Sequence, residues 1–383
     1  MDKNGIFDER NRDFFAKARS AAFRAVVGGG ARGGILSAAR NLARLAGMAR
    51  DQGVQARKRK AAAAEGRTVP GILIASVTRE CNLNCEGCYA KTLRGGASAG
   101  LSDGRFLELF REAADLGVGT LMIAGGEPLM RRSLLEGAAK LPRLVVPVFT
   151  NGTLMDEDYL DLFSSGSLLP IFSVEGDAIF TAERRGSGIH EAVLAAAAAL
   201  RSRGALFGLS VTLTSKNADS VLTDRFLGEV GSLGTSVLFL IEFVPVEPGK
   251  EALVLTDSQK AELSRPGRFD GRPFMTVSLP GDEEAFGGCL AAGRGFIHLA
   301  DDGALEACPF APYSDTSAAD RSLREALDSP LMRAIRERHA ELTETKGGCA
   351  LWNKKGWIAS LGSCAAREED AGDEGGENRR LPA

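Results

Sequence analysis

Cys81, Cys85 and Cys88 stand in the stretch SVTRECNLNCEGCYAKT, residues 76–92, at the spacing C-x3-C-x2-C. The other cysteines are Cys289, Cys308, Cys349 and Cys364. A disulfide consumes two sulfurs, and a structural zinc site takes four ligands. Three thiolates on one short loop suit a 4Fe–4S cube whose fourth iron is left for something that is not protein. The competing arrangement is a zinc knuckle with a distant fourth ligand. The chain's histidines, His190, His298 and His339, all lie far from the loop in sequence.

Such a loop needs a scaffold. Residues 70–246 alternate between short, β-branched, nearly continuous apolar runs and helical stretches. The runs are GILIASV (71–77), GTLMIAG (119–125), LVVPVFT (144–150), LPIFSVE (169–175), FGLSVTLT (207–214) and VLFLIEFV (237–244). Apolar residues at nearly every position indicate strands buried on both faces. Helical patterns lie between them at 102–117, 131–140, 156–166, 188–204 and 217–234. Ser102 and Asn217 read as N-caps, and Gly117, Gly166 and Gly204 as C-terminal stops. Pro147 within the third run argues mildly against a strand there. Six β-α units in series predict an α/β fold, a partial (β/α)6 barrel like part of a TIM barrel, spanning 69–249. The C-terminal ends of its strands would form the active face, and the three-cysteine loop follows the first strand.

After residue 250 the pattern changes. RPFMTVSL (272–279) reads as a strand. GFIHLADDGALEACPF (295–310) reads as a hairpin turning at Asp301-Asp302-Gly303. Residues 322–345 are helical with a break at Pro330. These features predict a smaller α+β domain over 250–366. The N-terminal extension, 1–68, is basic: residues 14–67 hold twelve Lys or Arg against Asp51 and Glu65. Within it, 31–50 has the pattern of a basic amphipathic helix, with arginines at 40, 44 and 50. Two placements fit that pattern. The helix packs on the barrel with its arginines solvated, or it lies on an anionic membrane surface or an acidic partner. Residues 367–383 are acidic and glycine-rich and read as a disordered tail.

A net charge of −3 gives no sign of nucleic-acid binding. The N-terminus carries early acids and no apolar segment of the secretory type, which predicts a cytoplasmic protein, with peripheral membrane contact as the added possibility. Seven cysteines without an export signal point to metal or catalytic thiols rather than disulfides.

The cysteine loop resembles the cluster-binding loop of the radical S-adenosylmethionine (radical SAM) superfamily. AGGEPLM (124–130), after the second strand, is similar to that family's GGEP motif. FTNGTLM (149–155) and FSVEGDA (172–178) resemble its third- and fourth-strand motifs. The resemblance implies a 4Fe–4S cluster on Cys81, Cys85 and Cys88 that binds SAM and splits it to methionine and a 5′-deoxyadenosyl radical. A flavodoxin or ferredoxin would donate the electron. Gly125 and Gly126 would let backbone approach the methionine part, and Glu127 would accept from its ammonium group. Ser173 and Glu175 would meet the carboxylate or the ribose hydroxyls. Arg184 and Arg185 resemble a position that meets the SAM carboxylate. The family often has an aromatic before the third cysteine; here Gly87 stands there, and Tyr89 is the candidate for the adenine.

Cys289, Gly303 and Cys308 form C-x13-G-x4-C, similar to the start of the SPASM/twitch auxiliary-cluster domains. That similarity implies one auxiliary 4Fe–4S cluster on Cys289, Cys308 and Cys349. Cys364 is either its fourth ligand or free, with the fourth iron open to substrate. The implied reaction is hydrogen abstraction from a peptide or protein side chain, or else oxidation or ring closure of a small metabolite. An iron–sulfur electron carrier or sensor is the reading of a different class, and a carrier needs no ammonium acceptor such as Glu127 beside its cluster.

Overall fold

The computed structural model describes residues 34–95, 100–279, 288–342, 349–361 and 365–366. Strands β1 (Ile72–Ser76), β2 (Thr120–Ala124), β3 (Pro147–Thr150), β4 (Leu169–Val174), β5 (Gly208–Leu213) and β6 (Val237–Glu242) pair in parallel and in sequence order. Beyond residue 250, β7 (Met275–Leu279) joins β6, and β8 (Phe296–Leu299) joins the free edge of β1, both in parallel. β9 (Leu305–Glu306) turns back against β8. The order β7-β6-β5-β4-β3-β2-β1-β8-β9 is a curled parallel half-barrel of the partial TIM type. The sheet is therefore continuous across the boundary placed at 249/250. A further pair, β10 (Tyr313–Ser314) with β11 (Ala365–Ala366), lies outside it.

Both faces of the sheet are apolar, which is why the strands read as unbroken runs. Outward residues such as Leu73, Leu121, Ile123, Val148, Phe172, Val211 and Leu240 pack under the helices. Inward residues Ile171, Val237 and Phe239 form a separate cluster with Met122, Phe149, Ile241, Met275 and Val277. Pro147 is the first residue of β3, a position where a strand tolerates proline. The hairpin turns at Gly303, whose φ is 91°. Pro330 divides the late helix into Leu323–Leu327 and Pro330–Glu337, the second capped by Ser329.

The helices that bear on the site are α1 (Gly34–Ala64), α2 (Tyr89–Leu93), α3 (Asp103–Leu116), α4 (Arg132–Ala138), α5 (Glu157–Ser164), α6 (Ala178–Arg185) and α7 (Ile189–Ser202). Ser102 caps α3 through a bond from Arg105 N, and Gly117, Gly166 and Gly204 all take positive φ after their helices. The stretch 217–234 is not one helix. It divides into α8 (Ala218–Val221) and α9 (Asp224–Leu233), with Thr223 capping the second. Asn217 makes no cap bond. Its Nδ2 donates to Glu175 O (3.0 Å) and Thr212 O (2.9 Å), and its Oδ1 accepts from Thr214 N (2.7 Å). A side chain committed to the ends of β4 and β5 is not available to a helix terminus.

Helix α1 packs on the barrel, but not with its arginines all solvated. Arg40 donates to Arg203 O (3.1 Å) and Asn41 to Gly204 O (3.0 Å). Arg44 donates to Ser164 O and Ser165 O. Gln55 donates to Ala114 O and Val118 O (both 2.9 Å), Lys58 to Ala114 O (2.9 Å), and Arg59 to Gly117 O (2.7 Å). The last carbonyls of α3, α5 and α7 have no partner within their own helices, and their dipoles favour cations there. One basic helix supplies donors to all three ends, while Arg50 stays exposed. No helix among the described residues is long and apolar enough to cross a membrane. Cys364, the acidic tail 367–383 and residues 1–33 lie outside the described residues.

Gln55 is fully buried with its amide on two carbonyls. Gln55→Leu should lower the unfolding free energy by roughly 1–3 kcal/mol, the cost of leaving buried polar groups unpaired. Chemical denaturation checks this; an unchanged midpoint and slope would show that α1 does not anchor α3.

Candidate active site

The C-terminal end of β1 continues into the cysteine loop alongside the end of β2. Val77 N donates to Ala124 O (2.9 Å), Gly126 N to Thr78 O (2.6 Å) and Glu127 N to Glu80 O (2.8 Å). This contact accounts for the two glycines. A Cβ on Gly126 would lie 2.0 Å from Glu80 O, and one on Gly125 2.6 Å from Thr78 O. The close approach visible here is to the loop's own backbone. Glu127, buried, receives Leu129 N (3.0 Å) and Thr150 Oγ1 (2.7 Å) on Oε1, and Asn151 N (2.8 Å) on Oε2. Burial pushes its carboxyl above the usual range in spite of these donors. Asn151 Nδ2 donates to Asn82 Oδ1 (2.9 Å), and Asn82 Nδ2 to Thr153 Oγ1 (2.7 Å). Glu127 thus ties the ends of β2 and β3, and Asn151 carries the tie to the residue after Cys81. Thr150, Asn151 and Asn82 were not singled out from the sequence. Their signal was the polar FTNGT ending of an otherwise apolar strand.

The other side of the loop is held by α6. Glu86 N donates to Arg184 O (2.9 Å) and Arg184 Nε to Glu86 O (3.1 Å). Arg184 Nη1 (2.6 Å) and Arg185 Nε (2.7 Å) converge on Oε1 of Glu175, whose Oε2 is buried without a hydrogen-bond partner. Lys250 pairs with Glu86 at 2.6 Å. Gly87 has φ 61°, and a Cβ there would sit 3.1 Å from the ring of Phe243, just past β6. The space above position 87 is thus filled by an aromatic from elsewhere in the chain. Tyr89 turns to the hairpin, its ring 4.7 Å from that of Phe310, and burial pushes its phenol up to about 12. Ser173 and Ser210 share a hydroxyl contact of 3.3 Å on the inner side of β4 and β5. Burial, first, and then neighbouring charge raise the thiols of Cys81 and Cys85; Arg185 opposes the rise at Cys85.

The second cysteine set is buried. Cys289, Cys308 and Cys349 come from three separate segments. A hydrogen bond with Cys349, then burial and the nearby Cys289, raise the Cys308 thiol well above its ordinary value. Cys349 Sγ also accepts from Trp352 N at 3.4 Å.

The model of the radical SAM superfamily matches residues 75–223, from the end of β1 to Thr223. Residues 75–223 are a radical SAM domain. The AdoMet-dependent heme synthase of Methanosarcina barkeri is 25% identical over 329 residues, covering 78% of this chain and 92% of that protein. Among solved structures, SuiB of Streptococcus suis bound to precursor peptide SuiA superposes with a TM-score of 0.58 at 15% identity, over 82% of this chain and 75% of that one. Native anSMEcpe with bound AdoMet and Cp18Cys peptide gives 0.56 at 19% identity, over 73% and 88%. Both structures share the fold.

Radical SAM enzymes use a 4Fe–4S cluster and SAM. The chemistry of the donor set fits that cluster. Among the described residues no three Cys, His, Asp or Glu side chains converge on a point where one metal ion could sit. Yet Cys81, Cys85 and Cys88 share the one short loop between β1 and α2. Thiolates that each take a different iron of a cube are near neighbours without a common centre.

Gly126→Ala tests the zipper that shapes the radical SAM loop. Its Cβ meets backbone, which cannot swing aside as a side chain can. Iron retained after reconstitution should fall several-fold in a variant whose only cysteines are Cys81, Cys85 and Cys88. Retention equal to the parent would show that the close approach does not shape the loop.

Proposed function

We propose that Cys81, Cys85 and Cys88 hold the SAM-binding 4Fe–4S cluster, and that Cys289, Cys308 and Cys349 hold an auxiliary one in a twitch-type unit within 250–366. The observation that carries this reading is that the two sets are reached from neighbouring strands: the first follows β1, and Cys308, hydrogen-bonded to Cys349, follows the β8–β9 hairpin paired to β1. Bound there and reduced, the first cluster with SAM would supply one-electron radical chemistry for hydrogen abstraction from a substrate. A flavodoxin- or ferredoxin-type partner would provide the electron.

The chain's own residues bind and orient. Glu175 Oε2, buried and without a hydrogen-bond partner, would accept a ribose hydroxyl, while Arg184 and Arg185 balance its charge and Arg185 would meet the SAM carboxylate. Glu127 Oε2 carries one donor and has capacity for the ammonium group. Ser173 provides a hydroxyl at the same level of the barrel. Phe243, packed over Gly87, takes the adenine contact in place of Tyr89, which is engaged with Phe310. Below them Ile171, Val237 and Phe239 give the interior an apolar floor, which keeps water from competing for a reactive intermediate.

For the substrate, a peptide or protein side chain is our reading; SuiB and anSMEcpe, which share the fold, have each been solved with a peptide bound. Oxidation or ring closure of a small metabolite is the second reading. It is favoured by the Methanosarcina relative, a heme synthase that aligns over nearly its whole length.

Anaerobically reconstituted, dithionite-reduced protein should convert SAM to 5′-deoxyadenosine, and Cys81, Cys85 and Cys88 changed to Ala should abolish it. A fully iron-loaded wild type that releases none, with peptide and small-molecule pools alike, would overturn the reading. Deuterium carried from a labelled pool into 5′-deoxyadenosine decides between the two substrate classes. Glu175→Gln should weaken SAM binding by about tenfold, equivalent to ~1.4 kcal/mol. Calorimetric titration checks this, and unchanged affinity would remove Glu175 from the site.

A further inference from the structure

Four buried polar side chains link the two cysteine sets and have no part in the site as described above. Arg94 stands one residue after α2, which starts next to Cys88. It forms an ion pair with Glu306 Oε2 and donates from Nη1 to Pro309 O at 3.0 Å. Glu306 and Pro309 bracket Cys308 in sequence. Glu306 Oε2 also meets His298 Nδ1 at 2.8 Å, and His298 Nε2 meets Ser76 Oγ at 2.8 Å. Ser76 is the last residue of β1, where the first cysteine loop departs. His298 and Glu306 face each other directly across β8 and β9. None of the four is more than 4% exposed. A second, outer tie runs from Arg79 to Asp301 (2.8 Å) and Asp302 (2.9 Å) at the hairpin turn.

Burial of this kind calls for an account other than stability. An apolar set of similar volume holds a core together as well as a buried ion pair, or better. What hydrogen bonds add is direction. The guanidinium fork, the carboxylate and the imidazole each accept one geometry, so the loop carrying Cys88 and the loop carrying Cys308 cannot shift independently.

We propose that Arg94, Glu306, His298 and Ser76 form a positioning strut that couples the two cysteine sites, so that iron held at one strengthens the hold on iron at the other. This rests on both sites carrying clusters. The coupling must be reciprocal, because each site biases the same arrangement of the strut.

The test is chelator-driven iron release from reconstituted full-length protein, followed by visible absorbance. The forms compared are wild type, the Cys81/Cys85/Cys88→Ala variant and the Cys289/Cys308→Ala variant. Each is measured with and without the paired change Arg94→Met and Glu306→Leu. In the wild-type background, emptying either site should speed release from the other by about tenfold, within the range usual for coupled sites. In the Met/Leu background the two sites should release iron independently, while the thermal midpoint stays close to wild type. A purely structural role predicts the opposite: the apolar pair would restore everything. Arg94→Lys keeps the charge but loses the fork between Glu306 and Pro309, and should also weaken the coupling; it serves if the Met/Leu form does not fold. Wild type holding about eight irons with independent release overturns the coupling alone, as does coupling that survives in the variants. Wild type saturating at about four irons, one cube, overturns both the strut and the auxiliary cluster.

Discussion

β1 is hydrogen-bonded along both edges, to β2 on one side and to β8 on the other, and the chemistry of the molecule hangs from its C-terminal end. A strand paired on both edges has no freedom to slide, because a slip of one residue would turn its buried face outward. Leu73 and Ala75 are fully buried against the helices, which sets that register. From Ser76 the backbone runs on between the end of β2 and the hairpin, so the first cysteine loop begins from a defined point. The zipper to Gly126 and Glu127 on one side and the Arg79 contacts to Asp301 and Asp302 on the other extend the same constraint into the loop.

Arginines are used throughout as rigid connectors. Arg184 and Arg185 share one oxygen of Glu175, Arg94 links Glu306 to a backbone carbonyl, and Arg44 joins the carbonyls that end α5. A planar group with several fixed donors can join segments distant in sequence with defined angles, which the flexible lysine ammonium does less well. The same chemistry explains α1. Its basic character looks like an invitation to an anionic surface, yet several of its charges are spent on helix ends of its own chain.

Much of the architecture was legible in the sequence. The six parallel strands, the position of the cysteine loop at the end of β1, the hairpin turn at Gly303 and the break at Pro330 follow from local rules: apolar periodicity, proline and glycine geometry, and cysteine spacing. Ser102 behaved as a cap because its partner, Arg105 N, is three residues away. Asn217 did not, because Glu175 O and Thr212 O, brought near by the sheet, competed for its side chain. The long pattern over 217–234 broke further on, at Leu222-Thr223, where Thr223 caps a second helix by accepting from Phe226 N.

What the sequence determined by itself is therefore what depends on neighbours along the chain: the strands, their order, and three thiols crowded on one loop. Tertiary structure decided everything that depends on neighbours in space. It placed β7 beyond β6 and β8 beyond β1 in one sheet, brought Gly125 and Gly126 against the backbone of the cysteine loop, and set Tyr89 on Phe310 and Phe243 beside Gly87. It also brought Arg94 to Glu306, 212 positions further along the chain, and set His298 on Ser76 from 222 positions away. No spacing rule spans such separations. Those pairs form because β8 docks on β1, and a buried charge brought into that interface must find a partner there.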